Sequence, residues 1–163
     1  MRIIGIDPGT TTTGFSIIET ENGEIKLLDY GCITTKTGLS KGEKLNQITK
    51  DLNDLIKKWK PEKGSIEKLF FKNNIKTAMA VSEARGVIIQ KLTYKNIELS
   101  EYTPLEIKMA VCGYGKADKK MVQQMVKIIL GLKQIPKPDD AADAIACAIC
   151  MANNLRMQQQ ISR

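Results

Sequence analysis

The chain has no histidine among its 163 residues, and this absence excludes several kinds of catalytic site. Ser-His-Asp and Cys-His catalysis both need an imidazole ring, and so does a zinc site with histidine ligands. Any chemistry in this protein must therefore depend on carboxylates, lysines, hydroxyls, thiols or a bound metal ion.

Cysteines and long apolar runs are also scarce. The four cysteines are too few for a disulfide framework in a chain of this length, so we interpret them as reduced. The longest uncharged stretch beside an apolar block covers residues 144–155, whereas a membrane span needs about 20 residues. The apolar run after Arg2 is too short for a secretory signal. We therefore expect a cytoplasmic protein with no membrane partner.

Positive charge is in surplus, since Lys and Arg number 25 against 18 Asp and Glu, for a formal net charge of +7. Such a surplus favours an anionic partner, most commonly nucleic acid, although a lysine-rich solvated surface is the ordinary alternative. Apolar residues make up 42% and charged residues 26% of the chain, which is typical of globular proteins. We predict one domain over residues 1–155 and a polar C-terminal tail over residues 156–163.

The pattern of apolar residues predicts strands and helices in a definite order. Asn22-Gly23 is the strongest hairpin signal and joins the second strand to the third. The predicted strands cover residues 2–7, 14–19, 25–35, 65–71 and 96–102. The predicted helices cover residues 45–59, 77–92, 104–111, 118–130 and 139–154, with Thr103 and Asp118 as N-caps. This order predicts an α/β fold: a mixed five-stranded sheet, three antiparallel strands then two parallel ones, with helices on both faces.

Four acidic residues lie in apolar surroundings. Asp7 ends the first strand and Glu67 lies within the fourth. Asp140 and Asp143 open the last helix at spacing i, i+3, which places them on one face. Each acid has an ordinary alternative, because Asp7 could begin a turn, Glu67 could face solvent, and Asp139 or Asp140 could cap a helix.

Taken together, four such acids would repel one another unless a cation offsets their charge. Clustered carboxylates without histidine suit hard, oxygen-binding cations such as Mg²⁺ or Mn²⁺. Beside a basic surface, the chemistry that this combination favours is metal-assisted hydrolysis of a phosphodiester.

Six blocks occur in order along the chain: Gly5-Ile6-Asp7-Pro8-Gly9 with Gly14, Ile66-Glu67 leading to Phe70, Glu83-Ala84-Arg85-Gly86, Tyr102-Thr103-Pro104 through Ile107-Lys108, Gly113-x-Gly115-x-Ala117-x-Lys119, and Asp140-Ala141-Ala142-Asp143-Ala144. From Ile3 to about Met151, the chain resembles the RuvC-type Holliday-junction resolvases of the RNase H-like superfamily. It departs from the family at Met121, where Gln is common, and at Ser82, where Gly is frequent.

The resemblance implies a role for each matching residue. The acids Asp7, Glu67, Asp140 and Asp143 would be the catalytic residues and would hold two Mg²⁺ ions, for which Mn²⁺ could substitute. Lys108 and Lys119 would lie near the scissile phosphate, and Arg85 and Lys116 join them as expected DNA contacts. Phe70 would stack on bases at the junction crossover, although the doublet Phe70-Phe71 leaves open which ring stacks and which packs.

The implied activity is that of a structure-selective DNA endonuclease acting in homologous recombination and DNA repair. A homodimer would resolve a four-way DNA junction by paired symmetric nicks, leaving 5′-phosphate and 3′-hydroxyl ends. The helix over residues 77–92 is the candidate dimer interface, and a branch-migration motor complex is a candidate further partner.

Three other functions compete with this interpretation. The fold could belong to an RNase H-like nuclease of another substrate class, or to a catalytically idle junction-binding module. The segment from Asp7 to Gly14 also resembles the first phosphate loop of actin-like and sugar-kinase ATPases. Those proteins need two such lobes to enclose ATP, which disfavours that interpretation for a chain of this length.

Overall fold

The computed structural model describes residues 1–69 and 75–161, so that Phe70 and Phe71 lie outside the described residues. The elements follow the predicted order along the chain. They are β1 (Arg2–Asp7), β2 (Thr12–Glu21), β3 (Glu24–Thr34), α1 (Lys41–Trp59), β4 (Lys63–Glu67), α2 (Ile75–Tyr94), β5 (Glu98–Tyr102), α3 (Pro104–Cys112), α4 (Lys119–Ile129) and α5 (Asp139–Ile161).

The strands form a mixed five-stranded sheet in the order β3-β2-β1-β4-β5. β1 pairs with β2, and β2 with β3, in antiparallel fashion. β4 runs parallel to both β1 and β5. The predicted fold class is therefore confirmed. Asn22 and Gly23 adopt positive φ angles of 51° and 85°, as a two-residue hairpin turn requires.

Successive strand residues point to opposite faces of the sheet, and different helices cover each face. Ile4 and Ile17 pack in one core with Ile48 and Leu52 of α1, and this core also contains buried residues of α2. On the other face, Ile3 and Ile18 pack against Ala148 and Met151 of α5. The helices α3 and α4 pack against α5 on that same side.

Capping residues mark the helix starts that the sequence predicted. The Thr103 side chain accepts a hydrogen bond from the backbone N–H of Glu106, whose carboxylate in turn accepts from the backbone N–H of Thr103. The Asp118 carboxylate accepts from the backbone N–H of Met121 at 2.7 Å. Both predicted N-caps are confirmed, and they set the positions at which α3 and α4 begin.

Several predicted boundaries are wrong, including the start of α1, which lies at Lys41 and not at residue 45. β4 ends at Glu67 and not at residue 71. The helix α5 continues to Ile161, beyond its predicted end near Asn154. Residues 156–161 are exposed, but they include no Gly or Pro and consist largely of Arg, Met and Gln, which favour helix. Among the described residues, none of the helices has both the length and the apolar character needed to cross a membrane.

Candidate active site

Two of the four predicted acids lie side by side at one edge of the sheet. Asp7 is the last residue of β1, and Glu67 is the last residue of β4. In the parallel pairing of these strands Ile6 lies opposite Ile66, so the next residue on each strand is an acid. Since residues alternate between faces, Asp7 lies on the same face of the sheet as Gly5. The helix α5 packs closely on Gly5, so Asp7 lies on the α5 side of the sheet.

The other two acids reach this edge because α5 lies unusually close to the sheet. A Cβ atom on Gly14 would stand 2.0 Å from the carbonyl oxygen of Asp140, and one on Gly5 would stand 2.2 Å from that of Ala144. The Ser16 hydroxyl donates to the same Ala144 carbonyl at 2.9 Å. The two glycines are therefore required by a close backbone approach, which brings the first turns of α5 to the ends of β1 and β4.

The carboxylates are near enough to change one another's protonation. Burial, and then the charges of Glu67, Asp143 and Asp140, raise the pKa of Asp7 from 3.8 to about 8, against the opposing charge of Lys119. Burial is also the main cause that raises the pKa of Glu67 and the pKa of Asp143. A divalent cation would relieve this repulsion, so the donor set fits a hard metal ion.

The present side-chain arrangement pairs one of these acids with a lysine. Lys119 Nζ lies 3.0 Å from Oδ2 of Asp143 and 3.4 Å from Oδ2 of Asp139. As the side chains stand, no three acids or thiols among the described residues are grouped to hold one ion. Metal binding at these acids would therefore need side-chain rotation, and it would compete with the ion pair between Lys119 and Asp143.

A pocket of about 190 Å³ joins two of the acids to two of the predicted lysines. Glu67 and Asp143 line it together with Lys108 and Lys119, and its other walls are formed by Pro104, Ile107, Val122 and Ala146. The charge of Lys108 lowers the pKa of Glu67, in opposition to burial and to Asp143. Acidic and cationic groups thus share one pocket, as a site for a phosphate beside metal ions requires.

The remaining predicted DNA contacts lie in different environments. Lys116 is exposed on the loop between α3 and α4. The Arg85 side chain is only 18% exposed and forms an ion pair with Glu101 of β5. Its Nε also donates to the backbone carbonyl of Glu67 at 3.4 Å. Arg85 therefore fixes the ends of β4 and β5 behind the acids, and a DNA contact by this residue stays a prediction.

Sequence reasoning missed one pair of residues at the site. Gln123 Nε2 donates to Oδ1 of Asp139 at 3.1 Å, and Asp139 also approaches Lys119. The sequence indicates only a helix cap as a role for Asp139, since the spacing within α5 does not show that α4 lies beside it. The i, i+4 spacing of Lys119 and Gln123 was the available signal, because it places both on one face of α4.

Comparison with known proteins identifies the chain at the level of its family. The family model described as crossover junction endodeoxyribonuclease RuvC matches residues 3–151. The RuvC protein of Finegoldia magna is 51% identical over 150 residues, which cover 92% of each chain. That of Caldanaerobacter subterraneus is 45% identical over 161 residues, covering 99% of this chain and 98% of the relative.

Solved structures agree with the sequence comparison. The Thermus thermophilus RuvC structure is 30% identical and superposes with a TM-score of 0.90, covering 97% of both chains. The same protein in complex with a Holliday junction substrate gives a TM-score of 0.91 at 30% identity, covering 97% of this chain and 96% of the other. Since the match extends over nearly the whole chain in both sequence and fold, the chain belongs to the RuvC family of crossover junction endodeoxyribonucleases, the RNase H-like enzymes that resolve Holliday junctions.

Proposed function

We propose that this protein resolves four-way DNA junctions by hydrolysing one phosphodiester in each of two opposed strands, leaving 5′-phosphate and 3′-hydroxyl ends. The observation that carries the proposal is the convergence of acids from β1, β4 and α5 beside a pocket that also contains two lysines. The Thermus thermophilus RuvC that superposes on this chain was solved with a Holliday junction substrate, which supports the same substrate here.

Membership of the family implies a metal-dependent reaction, and Asp7, Glu67, Asp140 and Asp143 would hold the metal. Their oxygen donors and the absence of histidine favour Mg²⁺, for which Mn²⁺ could substitute. The proposed site holds two such ions. When bound, such ions lower the pKa of a water molecule and stabilise the charge of the leaving 3′ oxygen. The raised pKa values of Asp7, Glu67 and Asp143 support this ligand set, because these groups would exchange protons for a cation.

The lysines would bind and orient the scissile phosphate. Lys108 and Lys119 line the pocket next to Glu67 and Asp143, so each can place an ammonium group beside a phosphate held there. Neutralising the phosphate in this way stabilises the additional charge of the transition state. Lys116, exposed on the adjoining loop, would extend the cationic surface along the DNA backbone.

A homodimer with twofold symmetry would place one site on each of the two strands to be nicked. A four-way junction is nearly twofold symmetric, so the symmetry of a C2 dimer matches that of its substrate. The proposed interface is the segment of residues 77–92 in α2. Met79, on this segment, is a large apolar residue that is 62% exposed, which supports a covered surface in the dimer.

The substitution Asp7→Asn tests the metal-dependent mechanism. It removes one ligand charge but leaves Lys108, Lys116 and Lys119 in place, so we expect loss of junction cleavage with junction binding retained. The measurement is cleavage of an end-labelled synthetic junction with and without Mg²⁺, beside a gel-shift assay. Asp54→Asn, an exposed position on α1, is the matched control and should cleave normally.

The same assay tests the substrate class. Flaps and RNA–DNA hybrids of matched length should be cleaved far more slowly than the junction. Full cleavage by Asp7→Asn in Mg²⁺ would contradict the ligand assignment, and equal cleavage of all three substrates would contradict junction selectivity.

A further inference from the structure

Asp139 lies beside the proposed metal ligands and contacts two side chains of α4. Its Oδ1 accepts a hydrogen bond from Gln123 Nε2 at 3.1 Å, and its Oδ2 lies 3.4 Å from Lys119 Nζ. Lys119 and Gln123 are one turn apart on α4, so they lie on the same face of that helix and Asp139 contacts both. The hydrogen bond from Gln123 fixes the orientation of the carboxylate and directs Oδ2 towards the lysine.

Lys119 is shared between two carboxylates that differ in their surroundings. Asp143, whose Oδ2 is 3.0 Å from Nζ, is 29% exposed and lines the pocket with Glu67. Asp139 is 62% exposed, and it does not line that pocket. An ammonium group and a divalent cation compete for the same carboxylate, because both are attracted by its single negative charge and repel each other.

We propose that Asp139 is a positioning residue that keeps Lys119 at the wall of the active-site pocket when Asp143 exchanges the lysine for metal. The inference rests on the proposed function, since it takes Asp143 as a metal ligand. With Asp139 present, Lys119 gives up one of its two ion pairs and retains the other, so its ammonium group remains beside the phosphate. Without Asp139, the lysine holds Asp143 more strongly, and it moves into solvent once metal displaces it.

The proposal predicts a coupling between Asp139 and Lys119 in metal affinity. The test is titration of the junction-free protein with Mn²⁺, followed by the electron paramagnetic resonance signal of free Mn²⁺. Asp139→Asn should weaken Mn²⁺ binding by about two- to fivefold, the range that partly exposed ion pairs support. Lys119→Met should tighten binding, because it removes a competing cation. In the Lys119→Met background, Asp139→Asn should have a clearly smaller effect.

If Asp139 acted on the metal only through its negative charge, and not through Lys119, the result would be different. In that case Asp139→Asn would weaken Mn²⁺ binding equally in both backgrounds, and the proposal would be overturned. Asp54→Asn is the control for removal of a distant surface charge and should leave the affinity unchanged. Lys119 is 51% exposed and Asp139 is 62% exposed, so neither substitution is made in the core. Thermal melting checks that each variant is folded.

Two more variants complete the experiment. Gln123→Met removes the hydrogen bond that orients Asp139 but changes no charge, so it should weaken Mn²⁺ binding in the same direction; an unchanged affinity would contradict the orienting step. Asp143→Asn separates this inference from the proposed function. An unchanged affinity in Asp143→Asn would reject the metal site itself, whereas weaker binding together with no Asp139–Lys119 coupling would reject only the positioning role.

Discussion

The two faces of the sheet contact their helices in different ways. On the α1 and α2 side, large aliphatic residues such as Ile4, Ile17 and Leu52 fill the space between sheet and helices. On the α5 side, Gly5 and Gly14 meet the backbone of α5 directly. Large side chains keep the first pair of helices at a distance, whereas missing side chains allow α5 to contact the strands.

This difference gives the α5 face a role in chemistry in addition to its role in stability. Both faces contribute buried apolar surface, which is the main source of folding free energy. The α5 face contributes proximity, because the acids of α5 approach Asp7 and Glu67 only while the glycine contacts persist. A substitution at a glycine of the α5 face should therefore affect cleavage more than unfolding, and one in the α1–α2 core should affect unfolding more than cleavage.

Among substitutions that leave the four acids unchanged, the largest effect on activity is expected for Gly14→Ala. Its Cβ would lie 2.0 Å from the carbonyl oxygen of Asp140, so the start of α5 must move by more than 1 Å. Displacement of this size at a catalytic group lowers rates by about 100-fold. Gly42→Ala is the matched control, since a Cβ at Gly42 would have no neighbour within 4 Å. The rate of junction cleavage is measured for both variants. Normal cleavage by Gly14→Ala would show that α5 can move away from the sheet without loss of activity.

Leu52→Ala should show the opposite pattern. Leu52 is fully buried in the α1–α2 core, so its truncation should lower the free energy of unfolding by about 2–5 kcal/mol. Cleavage per folded molecule at low temperature should stay within a few-fold of the parent chain, because α5 is not displaced. Denaturant unfolding beside the cleavage assay checks this. A loss of cleavage greater than the loss of folded protein would contradict the separation between the two faces.

The buried acids of the α5 face should make stability depend on pH when metal is removed. The pKa of Asp7 is raised from 3.8 to about 8, so the folded chain binds a proton that the unfolded chain releases between these values. Stability in chelator should therefore fall as pH rises from about 4 to 8, by at least about 1.4 kcal/mol if one pKa unit of the shift is realised.

Asp7→Asn is the control for this pH dependence. It cannot release the proton, so its melting temperature should fall less over the same range, and it should exceed that of the parent chain at pH 8. Mg²⁺ should reduce the difference at pH 8 by offsetting the carboxylate charges. A parent chain that becomes more stable from pH 5 to 8 in chelator would contradict a raised pKa for Asp7.

The smallest effect is expected at the far end of α5. Its first half is buried against the sheet, whereas residues 156–161 are helical but exposed. Truncation after Leu155 should change the melting temperature by less than about 4 °C, equivalent to about 1 kcal/mol. Cleavage should be unchanged, since the acids lie at the opposite end of the helix. A larger loss of stability would contradict the predicted domain boundary at residue 155.

The sequence predicted the features that depend on local chemistry. Asn22-Gly23 and Thr103-Pro104 determine a turn and a helix start through their own backbone preferences, and both lie where they were expected. The acids could be grouped because each lies in an apolar stretch of sequence, where several unpaired charges need a cation to offset them. The six blocks then implied that all four acids form one metal site.

Features that depend on the packing of separate elements were not predictable in this way. The contact between Lys119 and Asp139 exists because α4 lies against the start of α5, which no periodicity within either helix reveals. The structural role of Gly14 is likewise evident only from the structure, in which an added Cβ would collide with the backbone of Asp140. The helix α5 extends beyond its predicted end because its last residues favour helix by themselves, although the apolar periodicity that predicts a helix stops before them.

The contact between β2 and α5 also has a consequence for biosynthesis. Ser16 and Ala144, which join through one hydrogen bond, are separated by 128 residues. Contacts so distant along the chain form late in folding, after local hairpins and helices. Two of the four acids are on α5, which follows β1 and β4 along the chain, so a nascent chain that still lacks α5 does not contain the complete set of acids. The four acids therefore come together only after α5 has been synthesised and has packed against β2.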